Sequence, residues 1–261
     1  MDKLIKNIIC KFYHQYVYKP KGRKLKISIR AYLDAIFYVT KYGCPWVALK
    51  ATKWGVKVHY TTIQKFFERL TKSKVFEATY EVLFKDYYCN QITHDFKMLF
   101  IDSTMIKNVH GSENVGSNHY DRFRLGSKIS TIVDTKGVPV TKPLITGSNI
   151  HDATLIEDTI NSMLIDRKNL SIIADSGYVS ESIREKLKNS KNITLIAQKR
   201  RNQFVQNTKS EKLKLKERHI VENFYSWIKK YQRIRLRMDR LTRTYTGFVY
   251  LSYMSILCKK F

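Results

Sequence analysis

The spacing of hydrophobic positions changes near residue 97 and divides the chain into two kinds of secondary structure. Before it, apolar residues recur at helical spacing and predict helices over residues 27–42, 61–70 and 75–88, with a short helix after Pro45. After it, short runs of apolar and β-branched residues predict strands. We therefore expect an all-α first part followed by a part that contains a sheet.

The second part predicts strands and helices in the order β-β-β-α-β-α-β-α. Successive strands joined by a turn, such as the one at Lys136 and Gly137, are antiparallel, whereas strands that alternate with helices pair in parallel. The order therefore predicts an α/β fold, a mixed sheet flanked by helices. The predicted strands are residues 97–103, 128–134, 138–146, 172–174 and 193–197, and the predicted helices are residues 153–166, 180–190 and 212–232.

Two of the predicted strands end in the same way. An apolar run at residues 99–101 leads into Asp102, a run at residues 172–174 leads into Asp175, and a serine follows each aspartate. A carboxylate at the end of a buried strand is costly to desolvate unless a cation or a polar partner holds it. If the strands are neighbours, both carboxylates lie at one edge of the sheet, where open α/β folds bind ligands. The pattern predicts a metal site.

Glu222 is a candidate third carboxylate, on the helix predicted over residues 212–232. Arg218, Glu222 and Lys229 fall within roughly 40° of one another on a helix surface, so the acid lies between two bases. Apolar residues occupy another side of this helix, which leaves the acid free to face a ligand. An acid between bases suits a metal ion beside a phosphate, although an i, i+4 Arg–Glu pair alone is typical of an ordinary surface ion pair.

The charge of the chain indicates a polyanionic partner. Lys and Arg number 48 against 22 Asp and Glu, which gives a formal net charge of +26, and the chain also has 17 Tyr, 13 Phe and 3 Trp. This combination suits phosphate neutralisation beside aromatic contacts and predicts binding to double-stranded DNA. The alternative is the lysine-rich composition of an AT-rich genome. The candidate DNA contacts are Arg218, Lys229, Lys128, Lys199, Arg200, Arg201, Lys65 and Arg69.

Cysteine spacing and hydropathy suggest a cellular location. Cys10, Cys44, Cys89 and Cys258 are isolated, so neither a disulfide framework nor a structural zinc site is expected. The first residues lack a signal-peptide core, and the longest late apolar stretch is too short to span a bilayer. We expect a cytoplasmic protein without membrane contact, associated with the nucleoid when it is bound to DNA.

A specific resemblance rests on the spacing R-x3-E-x6-K of Arg218, Glu222 and Lys229. This spacing resembles the Y-R-E-K signature of DDE transposases of the insertion sequence five group, in the insertion sequence four/five superfamily. Leu215 stands where the signature has its tyrosine, and Asn223 stands where the family often has a basic residue. Similar motifs in the family's order cover nearly the whole chain, at residues 43–46, 101–104, 133–139, 147–152 and 175–178.

The resemblance implies a fold, a site and a reaction. Residues 96–261 would form a ribonuclease H-like domain in which Asp102, Asp175 and Glu222 are the DDE triad and hold two Mg²⁺ or Mn²⁺ ions. The implied reaction is metal-dependent cleavage at the element's terminal inverted repeats, followed by attack of the freed 3′-hydroxyl on target DNA. A homodimer would hold the two ends, and residues 1–95 would form a helical domain that binds them.

Several other interpretations are weighed against this one. The first helices are either a helix-turn-helix or an ordinary helical cap on the second domain. A decayed or domesticated transposase would bind DNA without metal-dependent cleavage, and a stand-alone nuclease would lack strand transfer. An H-x-x-R pattern at His119 and Arg122 is also found in tyrosine recombinases, but here it lies in a polar mid-chain loop, which disfavours that class. Two interpretations stay open for His151 and Asp152: the pair supports the site, or it caps the next helix, since Asp152 lies where an N-cap is expected. Neither residue is counted as catalytic.

Overall fold

A helical region precedes a sheet in the computed structural model, which describes residues 2–22, 24–49, 58–90, 96–166, 168–199 and 206–260. The helical region contains α1 (Asp2–Tyr16), α2 (Ile29–Tyr42), α3 (Tyr60–Lys72) and α4 (Val75–Asn90), with a 3₁₀ turn at Trp46–Ala48. The helices predicted from the spacing of apolar residues are thus confirmed. Helix α1 is an addition to the prediction, and it buries Ile5, Ile9 and Tyr13 at intervals of one turn.

The motif at residues 43–46 ends α2 and fixes a large side chain in the core. Gly43 has φ of 68°, in the left-handed region that glycine adopts without strain, and its N–H donates to the carbonyl of Val39 at 2.8 Å. The chain then turns so that Trp46 is buried against the rings of Phe67 and Phe248, with centroids 5.7 and 6.0 Å away. This turn therefore joins the helical region to the last helix of the chain.

The described residues form a mixed sheet of seven strands. The strands are β1 (Met98–Asn108), β2 (Gly116–Asn118), β3 (Arg124–Val133), β4 (Leu144–Gly147), β5 (Ser171–Ala174), β6 (Thr194–Ala197) and β7 (Leu236–Arg237). In space the central order is β2-β3-β1-β5-β6, with β3 antiparallel to β1 and with β5 parallel to both β1 and β6. The predicted mixed sheet is confirmed, although β2 and the start of β3 lie in the expected polar mid-chain loop. The strand predicted over residues 97–103 continues to residue 108, and the one predicted over residues 138–146 is shortened to β4.

Helices cover this sheet, and one predicted helix is divided. The prediction of a single helix over residues 212–232 is wrong, because Arg218 and Ile220 donate to carbonyls three residues earlier and tighten the chain between two helices. Arg218 keeps helical dihedral angles, so it remains on the same stripe as Glu222. The helices are α5 (Asp152–Asn161), α6 (Glu181–Lys191), α7 (Lys209–Lys216), α8 (His219–Ile228), α9 (Gln232–Arg235) and α10 (Thr242–Leu257).

Helix α10 joins the two regions of the chain. It contacts α2, α3 and α4 on one side and α8 on another, and most of its residues are buried. Gly247 allows a close approach, because a Cβ atom there would lie 2.4 Å from Cγ2 of Thr71. The helical region and the sheet thus share one hydrophobic core, and the division at residue 95 into two domains stays a prediction. None of the described helices is both long and apolar enough to cross a membrane.

Candidate active site

The two aspartates lie on neighbouring parallel strands, but only Asp175 follows a strand end, because β1 continues past Asp102 to Asn108. Strand β5 pairs with β1 at residues 98–100 and ends at Ala174, so Asp175 follows directly after the last paired residues. Strand β1 continues beyond this pairing. Asp102 lies opposite Thr131 of β3, but at this position β1 is no longer paired with β5. A notch therefore opens between the two strands at the carboxyl end of β5. Both candidate carboxylates lie at this notch, as the sequence predicts for adjacent strands.

Arg218 connects Asp175 to Glu222. Its two terminal nitrogens donate to Oδ1 of Asp175 at 3.2 Å and to Oε1 of Glu222 at 3.1 Å. The arginine side chain is only 16% exposed, whereas those of Asp175 and Glu222 are 44% and 57% exposed. The structure thus brings the acid of α8 to the acid after β5 through a guanidinium group that lies between them.

Asp102 is the most buried of the three candidate acids. Burial raises the pKa of its carboxyl group from 3.8 to about 6, against the opposing effects of the Ser103 backbone N–H and of Arg218. The negative charges of Asp175 and Asp152 raise this pKa further. The N–H of Ser103 donates to Oδ1 of Asp102 at 2.8 Å. Asp102 therefore takes up a proton at a higher pH than an ordinary aspartate, and a cation bound beside it would oppose this effect.

A tyrosine on α8 holds that helix against the middle of β1. The hydroxyl of Tyr225 donates to the backbone carbonyl of Asp102 at 2.6 Å and contacts the carbonyl of Ile129 at 3.2 Å. Tyr225 is buried, and it lies one turn after Glu222 on the same helix. This bond fixes the height of α8 over the notch. It thereby sets the position of Glu222 relative to the two aspartates.

Asp152 is a fourth acid at this site, where the sequence left its role open between supporting the site and capping the next helix. The N-cap of α5 is His151, whose ring nitrogen accepts from the N–H of Ala153, so the cap lies one residue before Asp152. Asp152 instead accepts from the hydroxyl of Ser103 at 2.6 Å and from the ammonium of Lys128 at 2.8 Å. The signal available in the sequence was a lysine inside a buried strand, which requires an anionic partner.

The predicted basic contacts are distributed over the molecule. Lys128 is buried and also donates to the carbonyl of Ile150 at 2.7 Å, so its ammonium faces the interior and not a surface. Lys229 lies next to α8, where burial lowers the pKa of its ammonium and Asp102 opposes that effect. The other predicted contacts lie further along the chain. Lys65 and Arg69 are exposed on α3, Lys199 follows β6, and Arg200 and Arg201 lie outside the described residues.

The donor chemistry of the site fits a hard divalent cation. Asp102, Asp175 and Glu222 offer carboxylate oxygens, which are the ligands that Mg²⁺ and Mn²⁺ prefer. Among the described residues, no three acidic, histidine or cysteine side chains already surround one point as metal ligands. Arg218 supplies the positive charge between two of the acids instead. A metal ion that uses the carboxylate oxygens bonded to Arg218 therefore competes with its guanidinium group.

Comparison with known proteins gives a family match over the sheet-containing region. Residues 94–257 match the family model described as Transposase DDE domain. A Burkholderia cepacia protein described as a transposase for insertion sequence element IS402 is 28% identical over 149 residues, which are 54% of this chain and 67% of that protein.

Solved structures with a similar chain path include two complexes of Mos1. A strand transfer complex has a TM-score of 0.33 and 8% identity, and covers 96% of this chain and 82% of its own chain. A paired-end complex with the left transposon end has a TM-score of 0.28 and 10% identity, with 96% and 86% covered. At these TM-scores the two likenesses carry no argument about this protein.

Proposed function

The chain belongs to the Transposase DDE domain family and is a transposase of the insertion-sequence kind, and we propose that Asp102, Asp175 and Glu222 form its catalytic triad. The observation that carries this proposal is the meeting of the three acids at the notch between β1 and β5. Asp102 lies within β1 and Asp175 directly follows the neighbouring parallel strand β5, and Arg218 joins Glu222 to Asp175. Carboxylates at such an edge repel DNA phosphate unless a cation lies between them.

The proposed reaction is cleavage of DNA at the ends of the element, followed by strand transfer. We propose that Asp102, Asp175 and Glu222 would hold two divalent ions as oxygen ligands, and Mg²⁺ or Mn²⁺ fits that donor set. Such ions would supply activation of the attacking oxygen and stabilisation of the leaving oxygen. The 3′-hydroxyl freed by cleavage then attacks target DNA, with no covalent link to the protein.

The bases around the triad position the DNA phosphates. Once the acids bind cations, Arg218 is released from Asp175 and Glu222, and its planar group is free to hold a phosphate through two parallel hydrogen bonds. Lys229 supplies a point charge on the other side of Glu222 and is already within the field of Asp102. Arg218 therefore changes partner between the metal-free and the DNA-bound state.

The helical region is proposed to recognise the terminal inverted repeats. Lys65 and Arg69 are exposed one turn apart on α3, and Arg69 lies over the ring of Phe66 at 5.7 Å. A basic helix face of this kind suits phosphate contacts. We propose that residues 1–95 bind the ends, that target DNA meets the notch, and that a homodimer joins two ends. Such a protein works at the nucleoid, inside the cell.

A decayed transposase that only binds DNA is the second candidate. The observation that favours it is Leu215, which stands where the signature tyrosine would be and packs against the hydrophobic core from α7. No hydroxyl is present at this position. The intact acids favour an enzyme instead, because a pure DNA-binding protein gains nothing from carboxylates beside a phosphate. Cleavage by the purified protein distinguishes the two.

A two-step assay tests the proposal. Labelled DNA that carries an element end is incubated with protein and Mg²⁺ or Mn²⁺, and both cleavage and joining to a target plasmid are measured. Asp102→Asn and Glu222→Gln are expected to abolish both products and to leave end binding in place. Asp158→Asn, an exposed acid on α5, is the matched control and should react normally. Normal cleavage by either triad variant contradicts the assignment. Cleavage without joining indicates a nuclease.

A further inference from the structure

A groove lined by lysines and aromatic rings lies beside the end of α8, outside the candidate active site. Its volume is about 750 Å³, and its walls come from α1, α2, and the ends of α8 and α10 with the residues that follow each of them. Among the described residues that line it, five are lysines, five are aromatic and one, Asp34, is an acid. None of these residues belongs to the proposed triad.

The charge of this groove favours an anion with several charges. Asp34 is already paired with Lys6, which also lies over the ring of Phe37 at 5.6 Å. The other four lysines of the lining have no acidic partner within the described lining of the groove. Four ammonium groups around one concave surface attract a polyanion and concentrate it there. A phosphodiester backbone is such a polyanion.

The aromatic rings of the groove favour unpaired bases over a duplex. Tyr42 is 54% exposed, and its ring centroid lies 4.6 Å from that of Tyr38. Ammonium groups flank the rings, with Lys41 at 5.2 Å from Tyr42 and Lys260 at 5.0 Å from Trp227. Exposed rings beside positive charges are the platform on which successive bases of a single strand stack. Paired bases already stack within a duplex and present no free face.

The position of the groove relates it to the proposed reaction. Lys230 lies two residues beyond the end of α8, and the six helical residues from Glu222 to Ile228 span about 9 Å, since each residue adds about 1.5 Å. A DNA strand covers such a distance in about three nucleotides, at roughly 3.4 Å per nucleotide. We propose that the groove binds a short unpaired stretch of DNA a few nucleotides from the site of cleavage. The proposal rests on the proposed function for its DNA partner, but not on the catalytic acids.

Binding of a single strand by the full-length protein tests this proposal. The probe is a labelled oligothymidylate of roughly 20 nucleotides, long enough to span a groove of this kind, and the measurement is anisotropy in EDTA over a salt series. Tyr42→Ala is expected to weaken binding at least about fivefold, since stacking contributes roughly 1–3 kcal/mol per base, and Tyr42→Phe should bind like wild type. Lys230→Gln should reduce the slope of log affinity against log salt by about 0.7.

Matched controls keep the test specific. Tyr18→Ala removes a ring that is equally exposed, at 50%, and Lys188→Gln removes an exposed charge on α6. If Tyr42→Ala does not fold, the slope change in Lys41→Gln and Lys230→Gln decides the question. The proposal is overturned if the groove variants bind like wild type or if the controls weaken binding equally.

The outcome is independent of the triad assignment. Asp102→Asn should bind the single strand like wild type, because it leaves the groove unchanged. Normal cleavage together with normal binding by the groove variants overturns the groove alone. Specific binding at the groove without cleavage by any form of the protein overturns the proposed enzymatic function and supports the groove.

Discussion

At the scale of single residues, the state of the candidate site depends on which cation neutralises its acids. In the absence of metal, Arg218 lies between Asp175 and Glu222, while Asp102 is left with a raised pKa of about 6 because it is buried. The negative charges of the three carboxylates are therefore balanced in different ways. Asp175 and Glu222 share an ion pair with Arg218, whereas Asp102 is protonated at a higher pH than an ordinary aspartate.

Replacement of Arg218 by glutamine is expected to increase the stabilisation that Mn²⁺ gives in the absence of DNA. The variant leaves Asp175 and Glu222 without a positive partner, so a metal ion no longer competes with the guanidinium group. The measurement is the rise in melting temperature on addition of Mn²⁺. Arg184→Gln, which breaks longer contacts of 3.9 Å on α6, is the control. An equal rise in Arg218→Gln and wild type contradicts the competition.

Replacement of Asp102 by asparagine is expected to stabilise the metal-free protein in a pH-dependent way. Because folding raises the pKa of this carboxyl from 3.8 to about 6, the folded state binds more protons between these values, and stability falls as the pH rises through them. At about 1.4 kcal/mol per pKa unit, the gain from asparagine is small at pH 4 and reaches about 2–3 kcal/mol above pH 7.

Urea unfolding at pH 4 and pH 7.5 in EDTA measures this gain. The same variant should lose cleavage, so that stability and activity change in opposite directions, as is common for strained functional sites. A gain that does not depend on pH, or a loss of stability at pH 7.5, is incompatible with the burial of an ionised Asp102.

At the scale of helices and strands, the sequence predicted most of the fold and the meeting point of two acids. Apolar spacing located α2, α3 and α4, and the run before each aspartate located β1 and β5, because burial requires these patterns. The spacing of apolar residues could not predict two features of the structure. The break between α7 and α8 depends on local hydrogen bonds at Arg218, and the role of Asp152 depends on a lysine from a distant strand.

The pair formed by Lys128 and Asp152 is expected to connect β3 to the start of α5. Asp152→Ala leaves the ammonium of Lys128 buried with one remaining acceptor, the carbonyl of Ile150. The expected cost is about 2 kcal/mol in the free energy of unfolding, below the full cost of an unpaired buried charge because Asp152 is partly exposed. Lys128→Met combined with Asp152→Ala should recover part of this loss. A double variant that is less stable than Asp152→Ala contradicts a buried ion pair.

Because α10 packs closely on α3, a substitution in α3 is expected to restore part of the stability that a substitution in α10 removes. Gly247→Ala places a Cβ atom 2.4 Å from Cγ2 of Thr71, so the helices must separate, and we expect a loss of about 1–3 kcal/mol. Thr71→Ser removes that methyl group and keeps the hydroxyl that donates to the carbonyl of Glu68. The double variant should therefore be more stable than Gly247→Ala alone. Simple addition of the two losses would show that this contact does not limit the packing.

At the scale of the whole molecule, the helical region and the sheet share one hydrophobic core, and both regions are positively charged. Helix α10 packs against helices of the first region and against α8, which carries Glu222. Helices that bind the ends of an element would therefore be rigidly connected to the acids. Composition predicted the DNA partner, whereas the shared core depends on packing that no local pattern in the sequence reveals.

The most direct test of the proposed triad measures cleavage and binding together on one labelled fragment with an element end. Wild type and Asp175→Asn are compared in Mg²⁺, in Mn²⁺ and in EDTA. We expect metal-dependent cleavage at the end by wild type, no cleavage by Asp175→Asn in either metal, and similar binding by both proteins. Tight binding by wild type without cleavage in either metal would contradict an active DDE site.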